Sequence, residues 1–333
     1  MKKLTLLLII FILSACSATE PSATTTDTDT GTDTALRTIR LPMGYIPDPQ
    51  YAPFYVAVAN GYYAAEGLEI EFDYSFETDG VALVGAGELP FAVVSGEQVI
   101  LARAQGLPVV YVTEWFQQFP ITIVTSANSG INTPADLAGR SVGLPGFFGA
   151  SYVGYVGFLN ANGLDQTDVN AEEIGFTQVE ALSTGRVDAV VGYANNEPVQ
   201  LAAMGETITT FNVADYVDLV ANGLMTNEKT IAEEPELVAS FVRATLKGLA
   251  DTIADPTAAY ETSKQFVEGL DDTRRPVLDA SIPLWTADTI GLTTADSWQQ
   301  THDTLLNMNF LDAPLDNLDA AYTNQFVNQY HDQ

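Results

Sequence analysis

Few side chains in this sequence could serve as nucleophiles, general bases or metal ligands. The 333 residues contain one cysteine, Cys16, and two histidines, His302 and His331. A serine–histidine–aspartate triad would have to use one of these late histidines, and one cysteine with two histidines does not make a zinc or iron site. We predict that both histidines are solvent-exposed, that the protein is not an enzyme, and that it holds neither a metal nor a cofactor.

Aromatic rings and acidic or amide groups do occur close together. They are concentrated in five short segments without Lys or Arg, at residues 44–55, 95–98, 114–119, 145–152 and 193–198. Rings stack on flat ligands, while carboxylates and amides bond to the edge of such a ligand. We therefore predict a ligand-binding site made of Tyr45, Asp48, Tyr51, Phe54, Ser95, Glu97, Trp115, Gln117, Phe147, Phe148, Ser151, Tyr193, Asn195 and Glu197.

Some of the rings in these segments fit a hydrophobic core as well as a binding site. The sequence leaves both interpretations open for Phe54, Tyr55, Phe119 and Tyr152. Turn residues flank four others, Tyr45, Trp115, Phe147 and Tyr193. A ring at a turn lies near the domain surface, which favours the site for these four.

The charge of the five segments favours a neutral or cationic ligand. A sulfonate, nitrate or phosphate group needs Arg, Lys or a helix N-terminus opposite its charge. Burying an anion beside unpaired carboxylates would be costly. One opening for anions remains, because a helix that begins within residues 146–151 would offer free backbone N–H groups. We expect a flat heterocycle rather than an anion.

The elements that must position these side chains alternate between strands and helices. Residues 39–44 predict a strand, 52–65 a helix stopped by Gly67, and 68–72 a second strand. Further along, residues 235–254 carry an apolar stripe at helical spacing. The alternation predicts an α/β fold, with the stripe packed in its core.

One pattern occurs twice. Residues 87–95 and 185–193 each predict a glycine turn and a short buried strand, followed by a polar loop. In open α/β sheets, ligands bind beyond the carboxyl ends of the strands. The pattern therefore predicts that Ser95 and Glu97 face Tyr193, Asn195 and Glu197 across a cleft. Trp285 and Trp298 are expected in the core.

The N-terminal residues carry signals of export and lipid attachment. Two lysines precede an apolar run over residues 4–13, too short for the roughly 20 residues of a membrane span, which predicts a signal peptide over 1–15. Leu-Ser-Ala-Cys, ending at Cys16, resembles the bacterial lipobox. Residues 16–36, rich in Thr, Asp, Ser and Ala, predict a lipidated N-terminus and flexible tether. We expect a lipoprotein held by palmitate-type acyl chains on the extracytoplasmic face of the cell membrane.

The overall charge excludes one class of partner. There are 43 acidic residues against 13 Lys and Arg, a formal net charge of −30. Affinity for nucleic acid depends on cationic side chains that neutralise phosphates. We therefore expect no nucleic-acid binding.

Several stretches are similar to a known family. The sequences GYIPDPQYAPFYVA at 44–57, GYYAAEGL at 61–68 and PADLAGRSVG at 134–143 resemble motifs of the periplasmic sulfonate/nitrate/thiamine-precursor binding proteins. The resemblance covers nearly all of residues 38–270. It implies a two-lobed periplasmic-binding-protein fold of type II, with the ligand in the interlobe cleft. The expected division is lobe 1 at 37–120, lobe 2 at 121–212, and a return to lobe 1 with C-terminal helices at 213–333.

The resemblance also implies a role in transport. Such proteins are monomers that capture a small molecule and deliver it to an ABC transmembrane permease and, through it, to an ATP-binding subunit. Some relatives instead make the thiamine pyrimidine and carry a Cys/His-rich iron motif. This sequence lacks that motif, so the enzyme interpretation is disfavoured.

Two ligand classes fit the resemblance, riboflavin and a pyrimidine thiamine precursor. Formylaminopyrimidine-binding relatives show a Trp-x-x-Asn-x-x-His-like opening, from which residues 45–51 depart. Residues 45–55, 114–120 and 145–149 resemble more closely the riboflavin-binding lipoproteins of ABC importers. A three-ring isoalloxazine would use more of the aromatic side chains, and ribityl hydroxyls are expected to bond Asp48, Gln117, Ser151 or Asn195. We predict riboflavin, with the pyrimidine precursor as the alternative.

Overall fold

The computed structural model describes residues 35–332. The predicted signal peptide, the lipidation site at Cys16 and all but the last two residues of the predicted tether lie outside the described residues. Within the described part, no helix is long and apolar enough to cross a membrane.

Strands and helices are interspersed up to residue 227 of the described chain, and the regular elements that follow are helices. The strands are β1 (Arg37–Gly44), β2 (Leu68–Phe76), β3 (Ala92–Ser95), β4 (Val109–Glu114), β5 (Ile121–Ser126), β6 (Ser141–Leu144), β7 (Asn170–Glu173), β8 (Ala189–Tyr193), β9 (Ile208–Asn212) and β10 (Asn222–Asn227). The α-helices are α1 (Ala52–Ala59), α2 (Tyr62–Ala65), α3 (Glu77–Gly85), α4 (Gly96–Ala104), α5 (Gly149–Ala161), α6 (Gln178–Ser183), α7 (Glu197–Ala203), α8 (Glu228–Glu233), α9 (Pro235–Ala254), α10 (Pro256–Ser263), α11 (Arg275–Trp285), α12 (Ala295–Asn307) and α13 (Gln325–His331).

The strands form three sheets. β1 pairs in parallel with β2, and β10 lies between β3 and β4, antiparallel to both. The third sheet has the order β7-β6-β8-β5-β9, in which β6 is parallel to its neighbours and β5 is antiparallel to its own. All five strands of this sheet come from residues 121–212. This distribution supports the proposed division into lobes, which stays a prediction.

Most of the predicted elements near the site occur, with one correction. β1, β2, β3 and β8 form where strands were predicted. The single helix expected over 52–65 is instead split into α1 and α2. Gly61 adopts a left-handed backbone (φ 72°) directly before α2, and a helix cannot continue through that conformation.

The helix α9 was predicted with the observed ends. Its buried face includes Phe241, Leu246 and Leu249, and it packs against α1. A Cβ atom on Gly248 would lie 2.2 Å from the Pro53 carbonyl oxygen. The glycine therefore permits a close approach of the two helices that a larger residue would prevent.

The C-terminal aromatic residues lie in the core, as expected, but one histidine does not follow its prediction. Trp285 and Trp298 are fully buried. His331 is exposed, whereas His302 is only 5% exposed. Its Nε2 accepts a hydrogen bond of 3.1 Å from the backbone N–H of Leu315. The expectation of a solvated His302 was wrong because the segment that carries Leu315 lies against it, a contact 13 residues away in sequence.

Candidate ligand-binding site

A cavity of about 380 Å³ lies where strand ends and helix starts converge. The carboxyl ends of β1 and β8, the first turns of α3, α5 and α6, and the first residue of β10 border it. Strand ends and helix N-termini are the places where α/β proteins bind ligands. The lining residues are Met43, Gly44, Tyr45, Gln50, Tyr51, Phe76, Glu77, Thr78, Val93, Gln98, Trp115, Phe116, Pro145, Phe148, Gly149, Ala150, Ser151, Phe176, Gln178, Tyr193, Asn196, Glu197 and Asn222.

One wall of the cavity consists of rings held firmly from behind. Tyr51 and Trp115 stack at a centroid distance of 5.4 Å and an interplanar angle of 30°. Phe54 packs edge-on behind Trp115 at 5.3 Å, and Trp285 lies 5.8 Å from it. The Tyr51 hydroxyl donates to the Met43 carbonyl oxygen at 2.7 Å. The wall is therefore preorganised, which lowers the entropic cost of stacking a ligand on it.

Three further rings stand at the cavity with much of their surface in solvent. Phe76, Phe148 and Phe176, here called the mouth rings, are 59%, 56% and 61% exposed. Phe176 is in edge contact with Tyr45 at 5.5 Å. Clustered exposed aromatic surface is typical of a binding site. A flat ligand would remove this surface from water.

The side chain of Glu197 bends back to bond residues of the turn that precedes it, between β8 and α7. The Tyr193 N–H donates to Glu197 Oε2 at 2.7 Å, and Asn196 Nδ2 donates to Oε1 at 3.3 Å. A Cβ atom on Gly192 would lie 2.4 Å from Oε2, so the carboxyl group occupies space that a side chain at this position would take. Burial raises the pKa of Glu197 to about 7.

A second acidic group lies at the start of α3. Glu77 lines the cavity and accepts hydrogen bonds from Ser95 Oγ at 2.6 Å and from Asn222 Nδ2 at 3.2 Å. Behind it, Ser95 Oγ also contacts Glu97 Oε1 at 2.5 Å. Burial raises the pKa of both carboxyl groups, that of Glu97 to about 8 with a further contribution from the Glu77 charge.

Asp48 has a structural rather than a lining position. It is 2% exposed and accepts from the Gln50 N–H at 3.0 Å, so that it begins the short helical turn that carries Gln50 and Tyr51 to the cavity. Its other oxygen is paired with Arg274. This arginine stands near the site but lines no part of it, and its charge is balanced by Asp48. The lining residues include no Lys or Arg.

Half of the predicted site residues line the cavity, namely Tyr45, Tyr51, Trp115, Phe148, Ser151, Tyr193 and Glu197. The other half lie behind or beside it, namely Asp48, Phe54, Ser95, Glu97, Gln117, Phe147 and Asn195. Asn195 is fully buried and donates to Ser281 Oγ at 2.8 Å. Gln117 donates to the Glu114 carbonyl oxygen at 3.0 Å, and Phe147 packs edge-on against Tyr152.

The four rings left open between core and site do not line the cavity. Phe54, Tyr55 and Phe119 are buried. Tyr152 contacts Phe147 and Gln166 instead. The core interpretation therefore describes the placement of Phe54, Tyr55 and Phe119, whereas Tyr152 is half-buried beside the core.

The expected helix start within residues 146–151 is present, since α5 begins at Gly149. Its first residues line the cavity, and no side chain caps its N-terminus. The free N–H groups there can bond to an uncharged oxygen of a ligand as well as to an anion.

Sequence reasoning missed several lining residues, among them Gln50, Glu77, Gln98, Phe116, Phe176, Gln178, Asn196 and Asn222. One signal could have found Glu77, because it follows the carboxyl end of β2 directly. Asn222 begins β10, which pairs with β3 (Asn222 opposite Ser95) and with β4 (Gly223 opposite Glu114). These partners are distant in sequence, and no local pattern indicates where such a strand pairs.

Comparisons with known proteins agree with this architecture. At 41% identity, "Riboflavin-binding protein RibY" of Chloroflexus aurantiacus aligns over 96% of this chain and 96% of its own length. The "Formylaminopyrimidine-binding protein" of Halalkalibacterium halodurans is 33% identical over 78% of this chain and 76% of its own. The solved periplasmic aliphatic sulphonate binding protein SsuA of Escherichia coli superimposes with a TM-score of 0.73, at 15% identity, covering 87% of this chain and 99% of that one.

The structural likeness confirms the predicted α/β periplasmic-binding-protein fold. These three proteins bear the names of binding proteins. Residues 48–259, more than half of the chain, match the family described as NMT1/THI5 like. This chain therefore belongs to the NMT1/THI5-like family.

Proposed function

We propose that this protein is the solute-binding lipoprotein of an ABC importer and that it captures riboflavin. The observation that carries the proposal is the 41% identity to a riboflavin-binding protein over nearly the full length of both chains. The aromatic cavity without Lys or Arg supports it independently, because such a cavity favours a flat uncharged ring system.

The shape of the cavity suits a ligand with several fused rings. The Tyr51–Trp115 wall offers a preorganised stacking surface, and the mouth rings offer a second apolar surface. Polar groups for the ribityl hydroxyls are available at Gln50, Ser151 and Gln178. Of the four residues predicted to bond these hydroxyls, Ser151 alone lines the cavity.

Titration of the purified protein with riboflavin, followed by flavin fluorescence, tests the proposal. Stacking on Tyr51 and Trp115 should quench the emission, and binding should raise the melting temperature as the ligand concentration increases. Emission and melting temperature that do not change at micromolar riboflavin would refute it.

A pyrimidine thiamine precursor is the second candidate. It is favoured by the 33% identity to a formylaminopyrimidine-binding protein. A single ring would leave part of the aromatic surface uncovered, so we expect the pyrimidine to displace riboflavin only at much higher concentration. Displacement at equal concentration would favour the precursor. In either case the ligand should be recovered chemically unchanged, since we propose a binding protein and not an enzyme.

We also propose that the protein is monomeric and anchored through acylated Cys16 to the extracytoplasmic face of the cell membrane. There it would deliver its ligand to a transmembrane permease coupled to an ATP-binding subunit. Labelled palmitate should enter the wild-type protein, and Cys16→Ala should abolish the label and release the protein from the membrane fraction. Label retained in that variant would contradict the anchor.

A further inference from the structure

Glu77 at the cavity and Ser95 and Glu97 behind it form a hydrogen-bonded set that needs one more proton than two carboxylates and a hydroxyl group supply. Ser95 Oγ lies 2.6 Å from Glu77 Oε2 and 2.5 Å from Glu97 Oε1. A hydroxyl group has one proton and can donate to only one of these oxygens. The other contact needs a proton on a carboxyl group. The two glutamates therefore share one proton, and the set is called the Glu77–Ser95–Glu97 triad below.

The surroundings of the two carboxyl groups indicate which of them carries the shared proton. Glu97 is fully buried, and its Oε2 has no hydrogen-bond partner among the described residues. An unpaired oxygen is far less costly on a neutral carboxyl group than on a carboxylate. Glu97 is therefore the acid that donates to Ser95 Oγ.

Glu77 has donors at both carboxyl oxygens, whereas Glu97 has contacts only at Oε1, where Gln98 Nε2 also donates at 3.3 Å. Glu77 accepts from Ser95 Oγ, from the Ser95 N–H at 3.3 Å and from Asn222 Nδ2 at 3.2 Å. Both glutamates lie in the first turn of a helix, Glu77 in α3 and Glu97 in α4, so the helix dipole does not distinguish them. The hydrogen bonds thus run from Glu97 through Ser95 to an ionised Glu77.

The other titratable groups near the triad leave this assignment unchanged. Burial raises the pKa of both glutamates, and the Glu77 charge helps to raise that of Glu97 to about 8. At Glu77, the hydrogen bonds from Ser95 Oγ and the Ser95 N–H oppose the rise in pKa. The phenols that face the pair, Tyr51, Tyr111 and Tyr193, have their pKa raised by burial and stay neutral in that range. Neither Lys nor Arg contributes to the pKa shift of either glutamate among the described residues.

We propose that Glu77 is the specificity-determining acceptor of the cavity, that it receives a hydrogen bond from a ring N–H of the ligand, and that Ser95 and Glu97 hold it ionised and oriented. This inference rests on the proposed function. An isoalloxazine carries an imide N–H between two carbonyl groups. The amides of Gln98 and Asn222 line the cavity, and each donates one N–H to a glutamate, Gln98 to Glu97 and Asn222 to Glu77. The second N–H of each amide could donate to those carbonyls.

The test compares riboflavin with 3-methylriboflavin, which lacks the imide N–H. Glu77→Gln should weaken riboflavin binding about 10- to 100-fold, the usual effect of losing a hydrogen bond to a charged group. Wild type should bind the methylated analogue more weakly by a similar factor. The same substitution should leave the affinity for the analogue within about threefold of wild type, because the bond is already absent.

Glu97→Gln is the matched variant two residues away in the same triad. Its amide can donate to Ser95 Oγ in place of the acid, so Glu77 stays ionised and riboflavin affinity should fall by less than about fivefold. Glu88→Gln, an exposed glutamate outside the cavity, controls for the lost charge and should not change binding.

A second readout needs no ligand. The infrared difference between wild type and Glu97→Gln at neutral pH should contain the carbonyl stretch of one protonated carboxyl group. Its absence would overturn the shared proton, even if riboflavin binds.

The outcomes separate the two proposals. If wild type binds riboflavin and its methylated analogue equally, or if Glu77→Gln and Glu97→Gln weaken riboflavin equally, the specificity proposal fails and the proposed function stands. If wild type does not bind riboflavin, the proposed function fails and the role of Glu77 as the riboflavin acceptor fails with it.

Discussion

At the scale of single residues, the rings of the cavity differ in what holds them in place. Phe148 and Phe176 keep more than half of their surface in solvent, whereas Trp115 is 4% exposed. A ring that packs on few neighbours contributes little to folding but can contribute fully to binding. Affinity and stability should therefore respond separately to substitutions in the two groups.

The mouth rings test binding without folding. Phe148→Ala and Phe176→Ala should each weaken ligand binding about 2- to 12-fold, corresponding to one aromatic contact, and should leave the melting temperature of the free protein unchanged. Phe310→Ala, an exposed phenylalanine that does not line the cavity, is the control. Fluorescence titration and thermal unfolding of the three variants would decide the point. Unchanged affinity in both variants would show that Phe148 and Phe176 do not contribute to ligand binding.

Trp115 should behave differently. Its ring packs against Tyr51, Phe54 and Trp285. Trp115→Ala would therefore leave a cavity among these rings and should lower the free energy of unfolding by about 3–5 kcal/mol. Urea unfolding of the free protein measures this. Trp115→Phe should recover part of the loss, and full stability of the alanine variant would show that the cluster is not part of the core.

At the scale of the elements, the site depends on how closely helices and strands approach each other. The α1–α9 contact is set by Gly248, which faces the backbone of α1. The short turn that carries Gln50 and Tyr51 to the cavity is joined to α1, because it leads directly into the first residue of that helix.

Two helical glycines give a matched test of this packing. Gly248→Ala should destabilise the protein by about 2 kcal/mol or more, since its methyl group would overlap the Pro53 carbonyl oxygen. Gly157→Ala in α5 meets its nearest neighbour only at 3.4 Å and should be neutral or stabilise by about 0.5–1 kcal/mol, the usual gain of alanine over glycine in a helix. Both are measured by urea unfolding. Equal effects would mean that α1 and α9 can move apart freely.

At the scale of the whole molecule, stability depends on pH through buried carboxyl groups whose pKa is raised. Burial raises the pKa of Glu97 and Glu114 to about 8 and that of Glu197 to about 7, from 4.5. The folded state thus holds protons that the unfolded chain releases. The stability from these groups is fully present below pH 4.5 and is lost as the pH rises through 7 to 8.

The free protein should therefore become less stable between about pH 5 and 8, by at most about 1.4 kcal/mol per pH unit for each proton. Glu97→Gln and Glu114→Gln should flatten this slope, as measured by urea unfolding at several pH values. High salt screens repulsion among surface carboxylates but not the buried groups, so the slope should persist at high salt. A wild-type slope of zero or of opposite sign would contradict the raised pKa values.

Part of this site followed from the sequence and part did not. Turn residues and strand ends indicated Tyr45, Tyr193 and Glu197, because a polar or aromatic residue just after a buried strand lies at the sheet edge whatever the rest of the fold does. Asp48 and Asn195 carried the same signal, but their side chains are held by Arg274 and Ser281. These partners are distant in sequence, and no local pattern predicts the contacts.

The sequence by itself determined the α/β class, the absence of Lys and Arg from the five segments, and elements such as α9, since each depends on local periodicity and composition. It also indicated the family, through the resemblance of residues 44–57, 61–68 and 134–143 to known motifs. The tertiary structure alone decided which rings face the cavity, that His302 is buried, and that Glu77, Ser95 and Glu97 meet around one hydroxyl. The physical reason is that the direction of a side chain and its protonation depend on groups brought near by long-range packing, which the order of neighbouring residues does not specify.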